Sequence, residues 1–256
     1  MKLFRHRQKN TSQTPMNATS LWTQAISVPQ KQWIKRRHLP LKAMTLTTAQ
    51  ARLHRIVIET LLEGHADAAL LNNWEKEALT LHGHLARLLH RHDVTLDPTT
   101  QHICDTQWSE HLFEQDTAVS LSKALTAQCA YHLQAWGLSL WLQAKTCCRL
   151  TRYLLQDLAA HHRSGAQLFH KWQKRQHTSW TTHLPQPDEQ RGEQPNALTL
   201  ALATLGATPT NIIPRRIHFW VTLQQKVLNT EHRNQRWCAA GYRLIAACLL
   251  RPRRPL

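Results

Sequence analysis

Glycine is scarce, with 7 residues in 256. None sits in a GxGxxG or GxxxxGK[ST] pattern ahead of a helix, so the backbone N–H cradle that nucleotide phosphates require is missing. Strand alternation never persists past about five positions, which argues against a sheet. No apolar run reaches the roughly 18 residues of a membrane span; the nearest, 239–250, is interrupted by Arg243. The start, MKLFRHRQKN, lacks an apolar signal core, so a cytoplasmic location is expected. It is also free of acids and rich in Thr, Ser and Gln further on, which leaves a mitochondrial presequence as the alternative.

Catalytic and metal patterns are equally thin. Six cysteines (Cys104, Cys129, Cys147, Cys148, Cys238 and Cys248) are irregularly spaced in apolar helical pattern and read as free thiols. There is no CxxC and no HExxH, so His82/His84, His90/His92 and His161/His162 are expected as surface histidines and no metal is expected. Repeated Glu-x-x-His and GxSxG are missing too. Glu110, His111 and Glu114 read as a polar cluster at a helix N-terminus. The expectation is a non-enzymatic protein without a cofactor.

What is present is positive charge. Lys and Arg total 32 against 16 Asp and Glu, a formal +16, and a polyanion is the natural partner. The excess is uneven: residues 1–58 hold 11 bases and no acid, residues 59–160 hold 7 bases and 12 acids. Residues 161–185 add 4 bases and no acid, and residues 205–256 carry 9 bases against Glu231 alone. Two basic flanks enclose a nearly neutral body.

Periodicity predicts an all-α fold, a helical bundle with one long central helix. Residues 1–45, polar, basic and broken by Pro15, Pro29 and Pro40, read as a disordered basic arm. The bundle spans 46–183. Thr47 to Gln50 has capping-box spacing ahead of an apolar stripe that ends at Gly64, and Asp67 opens a second helix. That helix carries Leu70, Leu71, Trp74, Ala78, Leu81, Leu85, Leu88 and Leu89 until Asp97-Pro98 stops it, and the two pair as an antiparallel hairpin. A loop holding Cys104 follows. The longest periodic segment, about 117–162, has Gly137 as a candidate break. A linker at 184–196 and a basic helical segment at 197–256 complete the chain, with helices at 197–205 and 217–250.

Ten tryptophans against three tyrosines is a pronounced bias. Trp74, Trp108, Trp136 and Trp141 lie at core spacing; Trp22, Trp33, Trp172, Trp180, Trp220 and Trp237 fall in acid-poor segments. An exposed indole stacks on any base for about 1–3 kcal/mol while neighbouring cations follow the phosphates, a pairing that single strands satisfy and duplexes do not. The stretch HKWQKRQHTSW (170–180) has three permanent cations and no carboxylate, with Lys171, Lys174 and Arg175 on one helical face. The candidate nucleic-acid-binding residues are Trp33, Lys35, Arg36, Arg37, Lys171, Trp172, Lys174, Arg175, Arg215, Arg216, Trp220, Arg251, Arg253 and Arg254. Two rivals remain: a helical adaptor or effector of a secretion or conjugation apparatus acting through protein contacts, and a membrane-surface protein using Leu21, Trp22 and Ile26.

The segment EALTLHGHLARLLHRH followed by QWSEHLF, with Trp108, His111, Leu112 and Phe113 leading into a long helix that ends near RYLLQDLAAH, resembles the primosomal replication protein N″ (PriC) family. IPRRIHFWVTLQQK is similar to that family's entry into its basic C-terminal helices, so the resemblance covers about residues 75–250. It implies an all-helical, non-enzymatic replication-restart factor that binds single-stranded DNA and single-strand-binding protein and helps load the replicative helicase. DNA is not distinguished from RNA by the residues themselves.

Overall fold

In a computed structural model, the described residues are 27–52, 54, 68–113, 117–179, 196–230 and 236–250. Among them there are nine helices and no strand: α1 (Val28–Ala49), α2 (Ala68–His90), α3 (Pro98–Phe113), α4 (Thr117–Gln143), α5 (Arg149–Ser179), α6 (Ala197–Thr204), α7 (Pro209–Ile212), α8 (Arg215–Asn229) and α9 (Arg236–Leu249). The fold is all-α.

The antiparallel pair α4 and α5 forms the spine. Helix α4 is apolar on nearly every side, so it must be surrounded. Leu125, Cys129 and Leu133 face a smaller core with Trp74, Ala166, Phe169 and Trp172. Ala124, Ala127, Tyr131, Ala135, Leu138, Trp141 and Leu142 face the main core, shared with α1, α2, α3, α6, α8 and α9. Small residues let the spine close up. A Cβ on Gly165 would stand 2.6 Å from His132 Nδ1, and one on Gly137 would stand 2.8 Å from the Trp220 ring of α8.

The periodic segment expected as one long helix is therefore two. The break falls at residues 144–148 rather than at Gly137, which lies inside α4. No glycine or proline marks it; hydrogen bonds do. The Cys148 N–H donates to Thr146 Oγ1 at 3.3 Å and the Arg152 guanidinium donates to the Thr146 carbonyl at 3.1 Å. Buried Gln30 reaches over from α1, donating to Thr151 Oγ1 at 3.0 Å and accepting from Thr146 Oγ1 at 3.2 Å.

That contact corrects the reading of residues 1–45 as an arm. Residues 28–45 are helical and bury Ile34, Leu41, Ala43 and Met44. The two prolines that suggested an irregular chain are accommodated: Pro29 occupies the first turn, where its missing N–H costs nothing, behind the Ser27 cap. Pro40 lies in the interior, and the strain appears one turn earlier as a kink at Arg37 (φ −125°, ψ 16°). Residues 1–26 lie outside the described residues, as do 184–195 of the expected linker. The boundary at 45/46 thus cuts α1. The segment after 196 is no separate layer either, since α6 packs on α1, α3 and α4, and α8 packs on α4.

Three local readings change for identifiable reasons. Thr47 caps nothing: it ends α1, its hydroxyl donating to the Ala43 carbonyl at 3.0 Å. The expected pairing of 47–64 with the next helix rests on residues outside the described set. Helix α2 stops at His90, before an Asp93 with φ 58°, and Asp97-Pro98 opens α3 instead of ending α2. Asp97 accepts from the Thr99 and Thr100 N–H groups at 3.3 Å each, and Pro98 suits a first helical position. Cys104 consequently sits buried in a helix, and Glu110 and His111 fall in its last turn rather than at an N-terminus.

Glycine substitution separates packing from propensity. Gly83→Ala, whose nearest neighbour would be an Arg87 terminal nitrogen at 3.9 Å, is expected to stabilise by about 0.5–1 kcal/mol. Gly137→Ala gains the same propensity but collides with a buried indole, and overpacking costs typically ~1–3 kcal/mol. Urea denaturation followed by circular dichroism should therefore give shifts of opposite sign; equal signs would refute the close approach of α8 to α4.

Candidate nucleic-acid interface

Helix α1 presents Lys35 and Arg36 to solvent and holds Trp33 and Arg37 half-buried at its kink. The Arg37 guanidinium carbon lies 4.5 Å from the centroid of the Trp141 ring, and that of Arg216, from α8, lies 5.9 Å from the same ring. Residues 179 positions apart in sequence thus meet over one indole of α4. Arg163 of α5 repeats the arrangement at 5.7 Å from the Trp136 ring, which meets Trp220 edge-on at 4.7 Å.

The electrostatics of this patch are unbalanced. Among the described residues, none of Lys35, Arg36, Arg37, Arg215 and Arg216 forms an ion pair with a carboxylate. The Arg37 pKa is depressed, by desolvation first and by the charge of Arg36 second. Arg215 and Arg216 occupy the first turn of α8, where the helix dipole disfavours cations, and no side chain caps that turn. Cation–π attraction to Trp141 holds the guanidinium planes in place without neutralising them. An anion would relieve all three penalties together.

The predicted stacking surface is corrected. Trp172 is 5% exposed, packed edge-on against Phe169 at 5.5 Å, and Trp220 is 2% exposed beneath α4. Neither offers a ring face to solvent. Both are the apolar anchors of their helices, α5 and α8, and apolar burial of an indole outweighs the company of cations along the sequence. Trp33 keeps a partly exposed ring but is packed on the main core with its indole nitrogen buried.

The acid-free stretch 170–175 has a local explanation. His170 Nε2–H donates to the Leu228 carbonyl at 3.0 Å and Lys174 Nζ donates to the same oxygen at 3.4 Å. Both donors cap a carbonyl in the last turn of α8, and the Lys174 ammonium also suits the helix dipole there. Lys171 and Arg175 are exposed beside this cap. They stand at the far end of α8 from Arg215 and Arg216, ~18 Å away at 1.5 Å per residue, so these described candidates do not form one continuous patch. Arg251, Arg253 and Arg254 lie outside the described residues.

Sequence spacing missed a layer of buried imidazoles. His161 and His162, expected at the surface, are buried with His54 and His132 where α4, α5 and α2 meet. Trp74 is stacked between His161 at 4.8 Å and His54 at 5.7 Å, and His132 stacks on Phe169 at 5.2 Å. His132 Nδ1 and His162 Nδ1 share one hydrogen bond at 3.1 Å, while His161 Nδ1–H donates to Glu77 Oε2 at 2.9 Å. Neither ring nitrogen of His54 has a partner. Among the described residues no group of three or more His, Cys, Asp or Glu has the geometry to hold a metal, and the layer leaves no water-sized void. These rings are packing material. The signal that would have found them is their helical register with Leu125, Leu133 and Leu158.

Neutral burial has a pH consequence. Burial, with His161 nearby, pushes His54 down to about 3, and burial first and neighbouring imidazoles second hold His132 and His162 well below 6.5. The unfolded chain takes up these protons below about pH 6.5 while the folded chain does not, so stability is full above that value and is lost as pH falls. Each group contributes up to ~1.4 kcal/mol per pH unit, and three give a slope near 4. The Glu77 carboxylate, held down by its bond to His161, loses its contribution only below the ordinary carboxylate range. Urea midpoints measured between about pH 7.5 and about pH 5.5 should fall steeply, and His54→Leu should remove about a third of the slope. A pH-independent midpoint would show that the imidazoles are solvated.

No family model, curated protein or solved structure matches this chain.

Proposed function

We propose that the chain is a non-enzymatic binding protein for single-stranded nucleic acid, acting in DNA replication restart as the PriC resemblance implies, with single-strand-binding protein and the replicative helicase as partners. The observation that carries this reading is the pair of unneutralised guanidiniums, Arg37 and Arg216, drawn from the two basic flanks onto one indole. Lys35, Arg36 and Arg215 neighbour these two in sequence, and all three are exposed.

Burial of Trp172 and Trp220 shifts the balance of the mechanism. Affinity comes chiefly from phosphate neutralisation, which is sequence-independent and salt-sensitive, and of the three candidate indoles Trp33, Trp172 and Trp220 only Trp33 keeps exposed ring surface for stacking, beside Arg36 and Arg37 in sequence. The site then follows a backbone without reading bases, the behaviour needed at a fork of arbitrary sequence. Nothing in it requires a bond to be made or broken.

Arg37→Gln with Arg216→Gln should reduce the salt dependence of binding to a homopolymeric oligonucleotide by about 1.4 in log–log slope, two contacts at ~0.7 each for a single strand. Fluorescence titration at several salt concentrations measures it, and Trp33→Phe should remove the quenching that accompanies binding. An unchanged slope, or a wild-type chain that ignores oligonucleotides while holding a protein from the same lysate, would refute this reading in favour of the adaptor.

A further inference from the structure

Helix α9 has an outer face that the nucleic-acid reading does not use. Ala239, Ala246 and Leu250 bury its inner side. Diametrically opposite, at spacings of four, three and four, stand Trp237, Gly241, Leu244 and Cys248, with Trp237 85% and Leu244 65% exposed. Ile245, 48% exposed, widens that face on one flank. Apolar side chains thus stand on both the inner and the outer side of α9, yet only the inner side is covered among the described residues.

Charge indicates what covers the other. Arg236 and Arg243 line one edge of the face, and α9 contains no acid. In the sequence Arg233 precedes it and Arg251, Arg253 and Arg254 follow it, and no acid occurs after Glu231. A second copy of a chain carrying +16 would set these arginines against their like. A nucleic acid would suit the arginines and Trp237 but leave Leu244 and Ile245 against phosphates and water. An anionic lipid surface satisfies both, with the aliphatic and indole groups at the acyl boundary and guanidiniums at the headgroups. Along the same arginine edge, a groove of about 530 Å³ opens between α9, α4 and α5, lined mostly by apolar residues such as Leu140, Trp220 and Ala247, with Arg152 on its wall. No helix among the described residues is long and apolar enough to cross a membrane, and α9, 14 residues or ~21 Å long, can only lie in the plane of one.

We propose that α9 docks the protein, reversibly and in plane, on anionic lipid bilayers through Trp237, Leu244 and Ile245, with Arg236 and Arg243 at the headgroups.

The test is flotation of the full chain with phosphatidylcholine vesicles and with phosphatidylcholine vesicles containing phosphatidylglycerol, alongside oligonucleotide affinity and sedimentation velocity. Wild type is expected to float with the anionic vesicles only. Leu244→Glu is expected to lower the bound fraction about tenfold or more while leaving oligonucleotide affinity and helical content unchanged, whereas Arg37→Gln with Arg216→Gln floats as wild type. Brominated lipid should quench tryptophan emission in wild type and less in Trp237→Phe. Flotation of Leu244→Glu equal to wild type would mean that net charge alone binds lipid, and no flotation of wild type would mean that lipid is not the partner; either overturns the proposal. So does a wild-type dimer that Leu244→Glu splits, which would assign the face to a second copy. Loss of lipid binding leaves the nucleic-acid reading intact, and loss of oligonucleotide binding leaves the lipid reading intact.

Discussion

The contact between the backbone of Gly165 and the imidazole of His132 sets the distance between α4 and α5. No side chain larger than hydrogen fits at that point, so the two longest helices approach until rings from both interdigitate. Everything else is arranged around this spine. Helix α2 supplies Trp74 to fill the space between His54 and His161, and α8 lays Trp220 against Gly137 on the neighbouring turn of α4. Moving the spine apart would strip these rings of their contacts at once, so the layer of aromatic and imidazole rings depends on that close approach in a way the surrounding leucines do not.

Imidazole is an unusual choice for such a place. A neutral ring stacks on indole and phenyl much as an arene does, and its nitrogens ask for only one donor–acceptor exchange each. His132 and His162 share a bond between their Nδ1 atoms and leave both Nε2 atoms without a partner, His161 is answered by Glu77, and His54 is left with neither nitrogen bonded. An unbonded buried imidazole costs free energy that a leucine would not, and nothing in the packing of His54 shows what offsets it.

The helical class and most of the core were legible from period alone. Leu71, Trp74, Ala78, Leu81, Leu85, Leu88 and Leu89 are buried as the stripe of α2 required, though Leu70 at its start is exposed, and Trp108 and Trp141 lie in the core with Trp136 partly buried against it. What was not legible has two physical sources. Prolines read as breaks in the sequence, yet Pro29 and Pro98 sit where a helix lacks N–H partners anyway, and Pro40 is absorbed by a kink. Conversely, the break at residues 144–148 carries no proline or glycine, because it is held by Gln30 from a segment more than a hundred residues away. Local signals cannot report on a turn whose hydrogen bonds are distant.

Charge patterning was the least transferable evidence, because one pattern has several causes. Lys174 and His170 both donate to the Leu228 carbonyl, whereas the guanidiniums of Arg37 and Arg216 lie over an indole. Arg236 and Arg243 form a third case, bordering an apolar face on a helix with no acid of its own. In sequence the three are indistinguishable: basic residues, a nearby tryptophan, no carboxylate. They separate only when the contacts are located, since Lys174 reaches a carbonyl, Arg37 and Arg216 lie over the buried Trp141, and Arg236 adjoins the bare Trp237 in sequence. What each basic group touches, and not the density of positive charge, distinguishes a cation that caps a helix from one that lies over a ring or borders an apolar face.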